Sequence, residues 1–176
     1  MTLDYNNQGW LSRDHMGSEY EMGDFLYGLV RMAKPKLVVE TGCYFGDTTA
    51  KIALALFHNE PRHEPRDYAR LIACDSDPEK AAFVTAMLRN FPVEVRNCKS
   101  EEVPEIEQAD LLFSDSGTLL EECHGLRFAE FERAKPGCLW VVHDAHNSKV
   151  IGDFVRAHGG MVFPYSRGFG LLLKPL

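Results

Sequence analysis

The chain alternates between helical and strand-like spacing of its hydrophobic residues. Residues 19–33 place apolar side chains three or four positions apart, which predicts an amphipathic helix. The apolar run 37–41, which follows the helix-breaking Pro35, predicts a buried strand. The alternation then repeats. It predicts four more helices: one after the glycines at 42–46, one that begins at Asp77 and Pro78, and two that span 119–134 and 147–158. It also predicts a helical turn at 100–108 and further strands at 70–75, 93–97, 110–115 and 136–144.

Several boundaries carry more specific expectations. Asp77 and Asn147 are predicted N-caps, and Gly125 predicts an interruption of its helix. Residues 58–69 form a polar, proline-bearing stretch that is typical of a surface loop. The last two apolar runs, "GMVFPY" and "GFGLLLKP", leave no room for a helix between them, so we expect an antiparallel hairpin.

Strands that alternate with helices define the expected fold class. This is an α/β fold with a doubly wound, mostly parallel sheet, helices on both faces and an antiparallel C-terminal strand. In such sheets, ligands bind beyond the carboxyl ends of the strands, where the winding order reverses. The polar residues at those ends are therefore the candidates for function.

Composition narrows the class of protein. The chain has 176 residues, of which 45% are hydrophobic and 26% charged, which favours a single folded domain. A net charge of −7 argues against nucleic acid as a partner. No apolar stretch approaches a membrane span, no signal peptide is recognisable, and the five cysteines lack a Cys-x-x-Cys pair. We therefore expect a cytoplasmic protein with no membrane contact and with reduced, buried thiols.

Four of the five predicted strand ends carry a carboxylate. Each acid is accompanied by small or polar residues that could meet a ligand. In strand order the ends hold Glu40 with Gly42 and Gly46, Asp75 with Ser76, Cys98 to Ser100, Ser114 with Asp115, and His143 with Asp144 and His146.

A dinucleotide is the first ligand that a glycine turn between strand and helix suggests. The spacing Gly42-x-x-x-Gly46 fails the fingerprint, because its third glycine position holds Thr49. Glu40 and Asp47 would also repel a pyrophosphate at this helix N-terminus. A P-loop fails as well, since no Gly-Lys-Ser/Thr follows.

A ligand with a cationic end and a ribose suits these strand ends better. Glu40 can attract an ammonium group, and Asp75 can accept hydrogen bonds from ribose hydroxyls. Backbone N–H groups near Thr48 and Thr49 can bind a carboxylate. S-adenosylmethionine has all of these parts.

Four segments, "VVETGCYFGDTT", "LIACDSDPE", "ADLLFSD" and "PGCLWVVHD", resemble in order the motifs of class I S-adenosylmethionine-dependent methyltransferases. The resemblance runs from about residue 18 onward and is closest to small O-methyltransferase-like members, whose closing strand "RGFGLLL" matches. It implies a seven-stranded, Rossmann-like sheet with the last strand inserted antiparallel. It also implies that Thr48 holds the methionine carboxylate, Asp75 the ribose, and that Asp115 lies below the transferred methyl group.

The segment "NCKSE" departs from the family, which often has Gly-Asp-Ala near adenine, and leaves Ser100 as the predicted adenine contact. The complete cofactor site predicted from the motifs and the loops between them is Glu40, Gly42, Cys43, Gly46, Thr48, Thr49, Asp75, Ser76, Ser100 and Asp115.

Transfer to a hydroxyl needs a base, and the predicted catalytic residues are Asp115, His143, Asp144 and His146. Strand alternation should point His143 and Asp144 to opposite sides unless the chain turns there. Similarity to the divalent-metal O-methyltransferases raises a Mg²⁺ alternative with Asp115, Asp144 and Asn147 as ligands, although two acids alone are too few to define a site.

The expected organisation is an N-terminal segment and helix at 1–35, which could cover the substrate site, followed by an S-adenosylmethionine-binding methyltransferase domain at 36–176. The expected acceptor is a hydroxyl of a small molecule or sugar, and a homo-oligomer is compatible with the sequence. Two alternatives stay open. One is a nucleotide- or NAD-binding enzyme, and the other is a catalytically weak S-adenosylmethionine-binding subunit.

Overall fold

The structure, a computed structural model, describes residues 4–5, 9–59, 69–117 and 120–176, with no side-chain description for 4, 5 and 120–123. Two short 3-10 helices, Ser100–Glu102 and Pro104–Gln108, fill the predicted turn. The other elements, in chain order, are β1 (Asp4–Tyr5), β2 (Leu11–Ser12), α1 (Tyr20–Ala33), β3 (Leu37–Thr41), α2 (Asp47–Asn59), β4 (Arg70–Asp75), α3 (Pro78–Met87), β5 (Val93–Asn97), β6 (Leu111–Ser114), α4 (Leu120–Arg133), β7 (Leu139–His143), α5 (Lys149–Ala157), β8 (Met161–Phe163) and β9 (Phe169–Leu173).

The main sheet has seven strands in the order β5-β4-β3-β6-β7-β9-β8. Strands β3 to β7 run parallel to their neighbours in this group, whereas β9 is antiparallel to both β7 and β8. The expected sheet, with its last strand inserted antiparallel, is therefore confirmed.

The core is divided between the two faces of the sheet. Val38 belongs to a buried cluster with Leu26 of α1 and Ile52 of α2. Its neighbour Val39 belongs to the other cluster, which contains Ile151 of α5. Alternation along β3 therefore secures helices on both faces. No helix in the described part of the chain is both long and apolar enough to cross a membrane.

Local boundaries confirm one prediction and correct two. Asp77 caps α3, since its carboxylate accepts the backbone N–H groups of Glu79 and Lys80. Ser148, and not Asn147, caps α5, with its hydroxyl accepting the Ile151 N–H at 3.2 Å. The predicted break at Gly125 is wrong because α4 is continuous through it. A helical glycine costs about 1 kcal/mol relative to alanine, which the buried side of α4 offsets. Most of the predicted loop, residues 60–68, lies outside the described residues.

The winding order reverses at β3, which has β4 on one side and β6 on the other. Gly42 follows β3 with φ +80°, and a Cβ there would lie 2.4 Å from the carbonyl oxygen of Asp115 after β6. Only glycine lets the two strand ends approach this closely. The reversal therefore leaves a crevice whose floor is built by Gly42 and Asp115.

Gly42→Ala tests this close approach. We expect a loss of about 3 kcal/mol or more in the free energy of unfolding, because the methyl group adds a backbone clash to left-handed strain. Gly159→Ala is the matched control, because Gly159 also has a positive φ, +79°, but no neighbour within 4 Å. The control should lose only about 1 to 2 kcal/mol. Equal losses in urea denaturation would contradict the prediction.

Candidate active site

A cavity of about 840 Å³ lies beyond the carboxyl ends of β3, β4, β6 and β7. Its walls combine carboxylates, amines and guanidiniums with short polar side chains. Residues of the segment before α1, namely His15, Met16 and Ser18, also line it. Of the residues predicted from the sequence, the cavity wall contains Gly42, Asp75, Ser76, Ser100, Asp115, Asp144 and Asn147.

The loop after β3 is fixed against the end of β4. The backbone N–H groups of Gly42 and Cys43 donate to the Cys74 carbonyl, and the Tyr44 N–H donates to Asp75 Oδ2 at 2.8 Å. Asp75 Oδ1 accepts the Asp77 N–H at 2.9 Å. Each carboxylate oxygen of Asp75 therefore has one backbone partner and keeps a lone pair for a ligand at the cavity wall.

The other predicted cofactor residues do not line the cavity. Cys43, Thr48 and Thr49 are buried, and Gly46 packs against α3 at Val84. The first turn of α2 points the hydroxyl side chains of Thr48 and Thr49 into the protein and away from the crevice.

Glu40 is fully buried behind the glycine loop. Its Oε1 accepts a hydrogen bond from the Thr48 hydroxyl, while Oε2 has no hydrogen-bond partner among the described residues. Burial raises the pKa of Glu40 to about 7. The hydrogen bond from the Thr48 hydroxyl lowers this pKa, but by less than burial raises it. Glu40 therefore braces the loop from within and does not reach the cavity.

Asp115, His143 and Asp144 converge after β6 and β7. Asp144 has φ +62°, so the chain turns immediately after the strand and brings adjacent side chains together. The turn overrides the strand alternation that would separate His143 from Asp144. His146 is exposed beyond this turn and does not line the cavity.

Arg127 of α4, which is 1% exposed, holds this group of residues together. Its Nη2 donates to Asp115 Oδ1 at 3.0 Å, and both terminal nitrogens lie 3.3 Å from Asp144 Oδ2. It also donates to the carbonyl oxygens of Ser116, at 3.1 Å, and of His143, at 2.7 Å. One guanidinium thus joins the ends of two strands to a helix.

Both ring nitrogens of His143 are engaged. Nε2 lies 2.8 Å from Glu19 Oε2, and Nδ1 faces both Asp115 Oδ1 at 3.1 Å and Arg167 Nη2 at 2.8 Å. The two contacts of Nδ1 need opposite states, because a protonated nitrogen serves the carboxylate and a bare one accepts from the guanidinium. Burial would lower the pKa of His143, but Asp115, Asp144 and Glu19 outweigh it and raise this pKa to about 9. Because each ring nitrogen has a carboxylate within reach, we assign an imidazolium at neutral pH, in which the approach of Arg167 Nη2 to Nδ1 is a contact and not a hydrogen bond.

The same charges act on the acids. Burial would raise the pKa of Asp115, but His143, Arg127 and Arg167 overcome it and hold this pKa at about 2. Burial opposes ionisation of Glu19 too, and its bonds to His143 and Ser166 outweigh it and lower its pKa. Both carboxylates are therefore ionised at neutral pH.

The segment 10–19 is held over the cavity by polar contacts that sequence reasoning missed. Arg13 forms two 2.8 Å bonds with Asp47, and Tyr44 Oη donates to Asp14 at 3.0 Å. Ser18 donates its hydroxyl to Asp115 Oδ2. The cavity is therefore enclosed on this side by the segment itself.

Arg127, Glu19 and Arg167 were also missed. Arg127 lies with Glu130 on one face of α4, which the sequence presents as an ordinary solvated face. A stronger signal was available for Arg167 in the segment "RGFG". The last strand was expected to run antiparallel, so its start, and Arg167 just before it, must lie at the carboxyl end of the parallel strands. Glu19 gave no signal, because an acid before a helix is common at N-termini.

The acids at the ends of β6 and β7 do not fit a Mg²⁺ site. Asp115, His143 and Asp144 each offer a ligand atom, all within 4.8 Å of one another. The carboxylate oxygens, however, already contact guanidinium, imidazole or hydroxyl groups, which leaves Asn147 as the one predicted ligand on the cavity wall without such a contact to an acid of the pair. Mg²⁺ requires near-octahedral oxygen ligands at about 2.1 Å, which this arrangement lacks.

Glu40→Gln tests the buried carboxyl group. With a folded pKa near 7 and an ordinary value of 4.5, Glu40 keeps its proton only in the folded chain between these values. The free energy of unfolding that it contributes must then fall as pH rises through this window. The variant should lose this fall in urea denaturation at pH 5 to 8. Glu107→Gln, at a 64% exposed side chain, is the control, and a pH curve parallel to wild type in the Glu40 variant would refute the assignment.

Comparison with known proteins agrees with this architecture. Solved structures with a similar fold include a methyltransferase from Geobacter sulfurreducens, with a TM-score of 0.68, 18% identity, and coverage of 87% of this chain and 78% of that chain. An O-methyltransferase from Bacillus cereus in complex with S-adenosylhomocysteine has a TM-score of 0.67 and 17% identity, with coverage of 92% of this chain and 84% of that chain. TomG from Streptomyces achromogenes is an O-methyltransferase involved in tomaymycin synthesis, solved in complex with S-adenosylmethionine. It has a TM-score of 0.64 and 16% identity, with coverage of 88% of this chain and 80% of that chain.

At the level of sequence, no curated protein matches the chain. A family model described as a methyltransferase domain does match it, over residues 39–145. This segment begins in β3, includes the glycine loop, Asp75 and Asp115, and ends just after Asp144. It makes up more than half of the chain, and the chain therefore belongs to the family of methyltransferase domains.

Proposed function

We propose that this protein transfers the methyl group of S-adenosylmethionine to a hydroxyl group of a small molecule, sugars included. The observation that carries the proposal is a single cavity that holds Asp75 at the end of β4 and Asp115 at the end of β6. Asp75 is suited to bind the ribose of the cofactor, and Asp115 is suited to receive the proton of the acceptor hydroxyl.

The cavity suits the cofactor in volume and in chemistry. Asp75 offers lone pairs to ribose hydroxyls, and Ser100 with Cys98 lines the neighbouring wall where adenine is expected. A volume of about 840 Å³ lies within the range of small-molecule sites and leaves space for an acceptor. The B. cereus and S. achromogenes proteins, which share the fold, hold S-adenosylhomocysteine and S-adenosylmethionine.

When bound, S-adenosylmethionine supplies an electrophilic methyl group on a sulfonium. The protein has to align the acceptor, exclude water and receive a proton. Asp115 Oδ2 is the group best placed to receive this proton, because it already accepts a hydrogen bond from a hydroxyl, that of Ser18, at the cavity wall. With a pKa of about 2 it is a weak base, so it receives the proton late, when the acceptor oxygen has become strongly acidic by gaining the methyl group. His143 is enclosed and protonated, and His146 lies off the wall, so neither serves as the base.

The N-terminal segment acts as the lid within the 1–35 region. His15, Met16 and Ser18 close one side of the cavity, and the Arg13 and Asp47 pair fixes the segment on α2. The acceptor hydroxyl takes the place of the Ser18 hydroxyl on Asp115. Specificity then comes from this short segment, since the described residues outside it belong to the sheet, its helices and their connecting loops.

A cytoplasmic location is proposed from the free thiols at Cys43, Cys74, Cys98 and Cys138. A small-molecule acceptor, rather than nucleic acid, is proposed from the net charge of −7. Self-association stays a prediction.

Asp75→Asn tests the cofactor site. We expect S-adenosylhomocysteine to bind about tenfold more weakly or worse in isothermal titration, because ribose hydroxyls lose a charged acceptor. Asp110→Asn is the control, since Asp110 likewise accepts backbone N–H groups, at Lys36 and Leu37, but near the start of β3 and away from the cavity. Unchanged affinity in the Asp75 variant, or binding of NAD in place of S-adenosylhomocysteine by wild type, would count against the proposal.

Asp115→Asn tests the base. Methyl transfer to a panel of phenols and sugars, followed by S-adenosylhomocysteine release, should fall about 100-fold or more in kcat. Circular dichroism and the midpoint of urea denaturation serve as the check on folding. His146→Ala, at an exposed residue off the cavity wall, should leave turnover intact. Full turnover in the Asp115 variant would remove Asp115 from the role.

A further inference from the structure

The four carboxylate oxygens of Asp115 and Asp144 all have partners. Asp115 Oδ1 contacts Arg127 and His143, and Asp115 Oδ2 accepts the Ser18 hydroxyl. Asp144 Oδ2 contacts Arg127 at 3.3 Å, and Asp144 Oδ1 lies 2.9 Å from Arg167 Nε. The positions from which two acids would chelate a cation are thus already filled, chiefly by nitrogen-bound positive charge.

Positive charge already faces the two acids without a metal ion. The guanidinium groups of Arg127 and Arg167 lie against Asp115 and Asp144, at distances of 2.9 to 3.3 Å. A divalent cation bound to these carboxylates would lie close to both guanidinium groups, and like charges repel strongly where solvent access is limited.

An ion could displace the Arg127 side chain only at a large cost in free energy. It is 1% exposed, lies on the regular helix α4, and also donates to two backbone carbonyl oxygens. Its displacement would leave those oxygens and its own charge unpaired. Arg167 is less enclosed, with 25% of its side chain exposed, and comes from the loop between β8 and β9.

We infer that Arg127 and Arg167 take the place of a divalent cation at the ends of β6 and β7, so that methyl transfer proceeds without metal. The statement about transfer rests on the proposed function, whereas the statement about the site concerns only cation binding. Both arginines are positioning residues, since they act by holding the carboxylates and not by touching the acceptor. As the acceptor oxygen gains the methyl group, its proton becomes strongly acidic, so that Asp115 Oδ2 can receive it without a Lewis acid.

The experiment measures Mn²⁺ binding by electron paramagnetic resonance and isothermal titration, with Mn²⁺ alone as the probe. Wild type should show no site with a Kd below about 1 mM. Arg167→Met should gain affinity by about tenfold or more, because two carboxylates lose a counter-charge that the ion can restore. Arg167→Lys keeps the charge and should behave as wild type.

Arg96→Met is the matched control. Arg96 is 26% exposed and pairs with Glu105 through two bonds of 2.7 and 2.8 Å, away from the cavity. The Arg96→Met variant should bind Mn²⁺ no better than wild type. Arg127→Met provides a second variant with the same expected gain, should Arg167→Met not fold.

A stoichiometric Mn²⁺ site of micromolar Kd in wild type would overturn the inference, as would the absence of any gain in a folded arginine variant. Turnover abolished by EDTA and restored by Mg²⁺ would overturn it as well. Failure of the proposed function has a different signature, namely loss of S-adenosylhomocysteine binding by wild type. The Mn²⁺ titrations remain readable in that case, since they require neither cofactor nor turnover.

Discussion

The buried guanidinium of Arg127 is the interaction on which the cavity depends. It satisfies two backbone carbonyl oxygens and two carboxylates at once, and it does so from a helix on one face of the sheet. Without it, Asp115 and Asp144 would lose a positive partner that both carboxylates contact. Arg127 thereby fixes the arrangement of the strand ends and, with His143 and Arg167, lowers the pKa of Asp115.

Backbone strain is concentrated around the same cavity. Three non-glycine residues with positive φ, Tyr44, Asp144 and Ser166, lie on its wall or touch its lid. Such conformations cost about 1 to 3 kcal/mol each and persist only where neighbours hold them. Here the holding contacts are visible: Asp75 accepts the Tyr44 N–H, Arg127 contacts Asp144, and Glu19 accepts the Ser166 hydroxyl.

The fold was predictable because it rests on local periodicity. Apolar runs such as 37–41 and 110–115 leave little choice but buried parallel strands, and the close final runs can pair only as a hairpin. The break expected at Gly125 failed, because packing of the rest of α4 outweighs the propensity of one residue. Strand ends also gave Asp75 and Asp115 directly, since topology alone carries them to one edge of the sheet.

The remainder of the site depends on contacts that no local pattern encodes. Whether Arg127 faces water or the acids is decided by how α4 docks on the sheet. His143 and Asp144 share a site only because the chain turns left-handed between them. Metal ligation was left open by the sequence for the same reason, since the arginines that compete for the acids come from distant segments.

Glu19 joins the two ends of this network. Its carboxylate meets His143 on β7 and the Ser166 hydroxyl and Arg167 N–H of the loop between β8 and β9. Glu19 and Arg167 are 148 positions apart. The lid can contact Asp47 and Tyr44 early in synthesis, whereas Glu19 finds its partners on β7 and in the loop between β8 and β9 only after nearly the whole chain has been made. The last polar contacts of the cavity therefore depend on long-range pairing, which makes their formation a late step of folding.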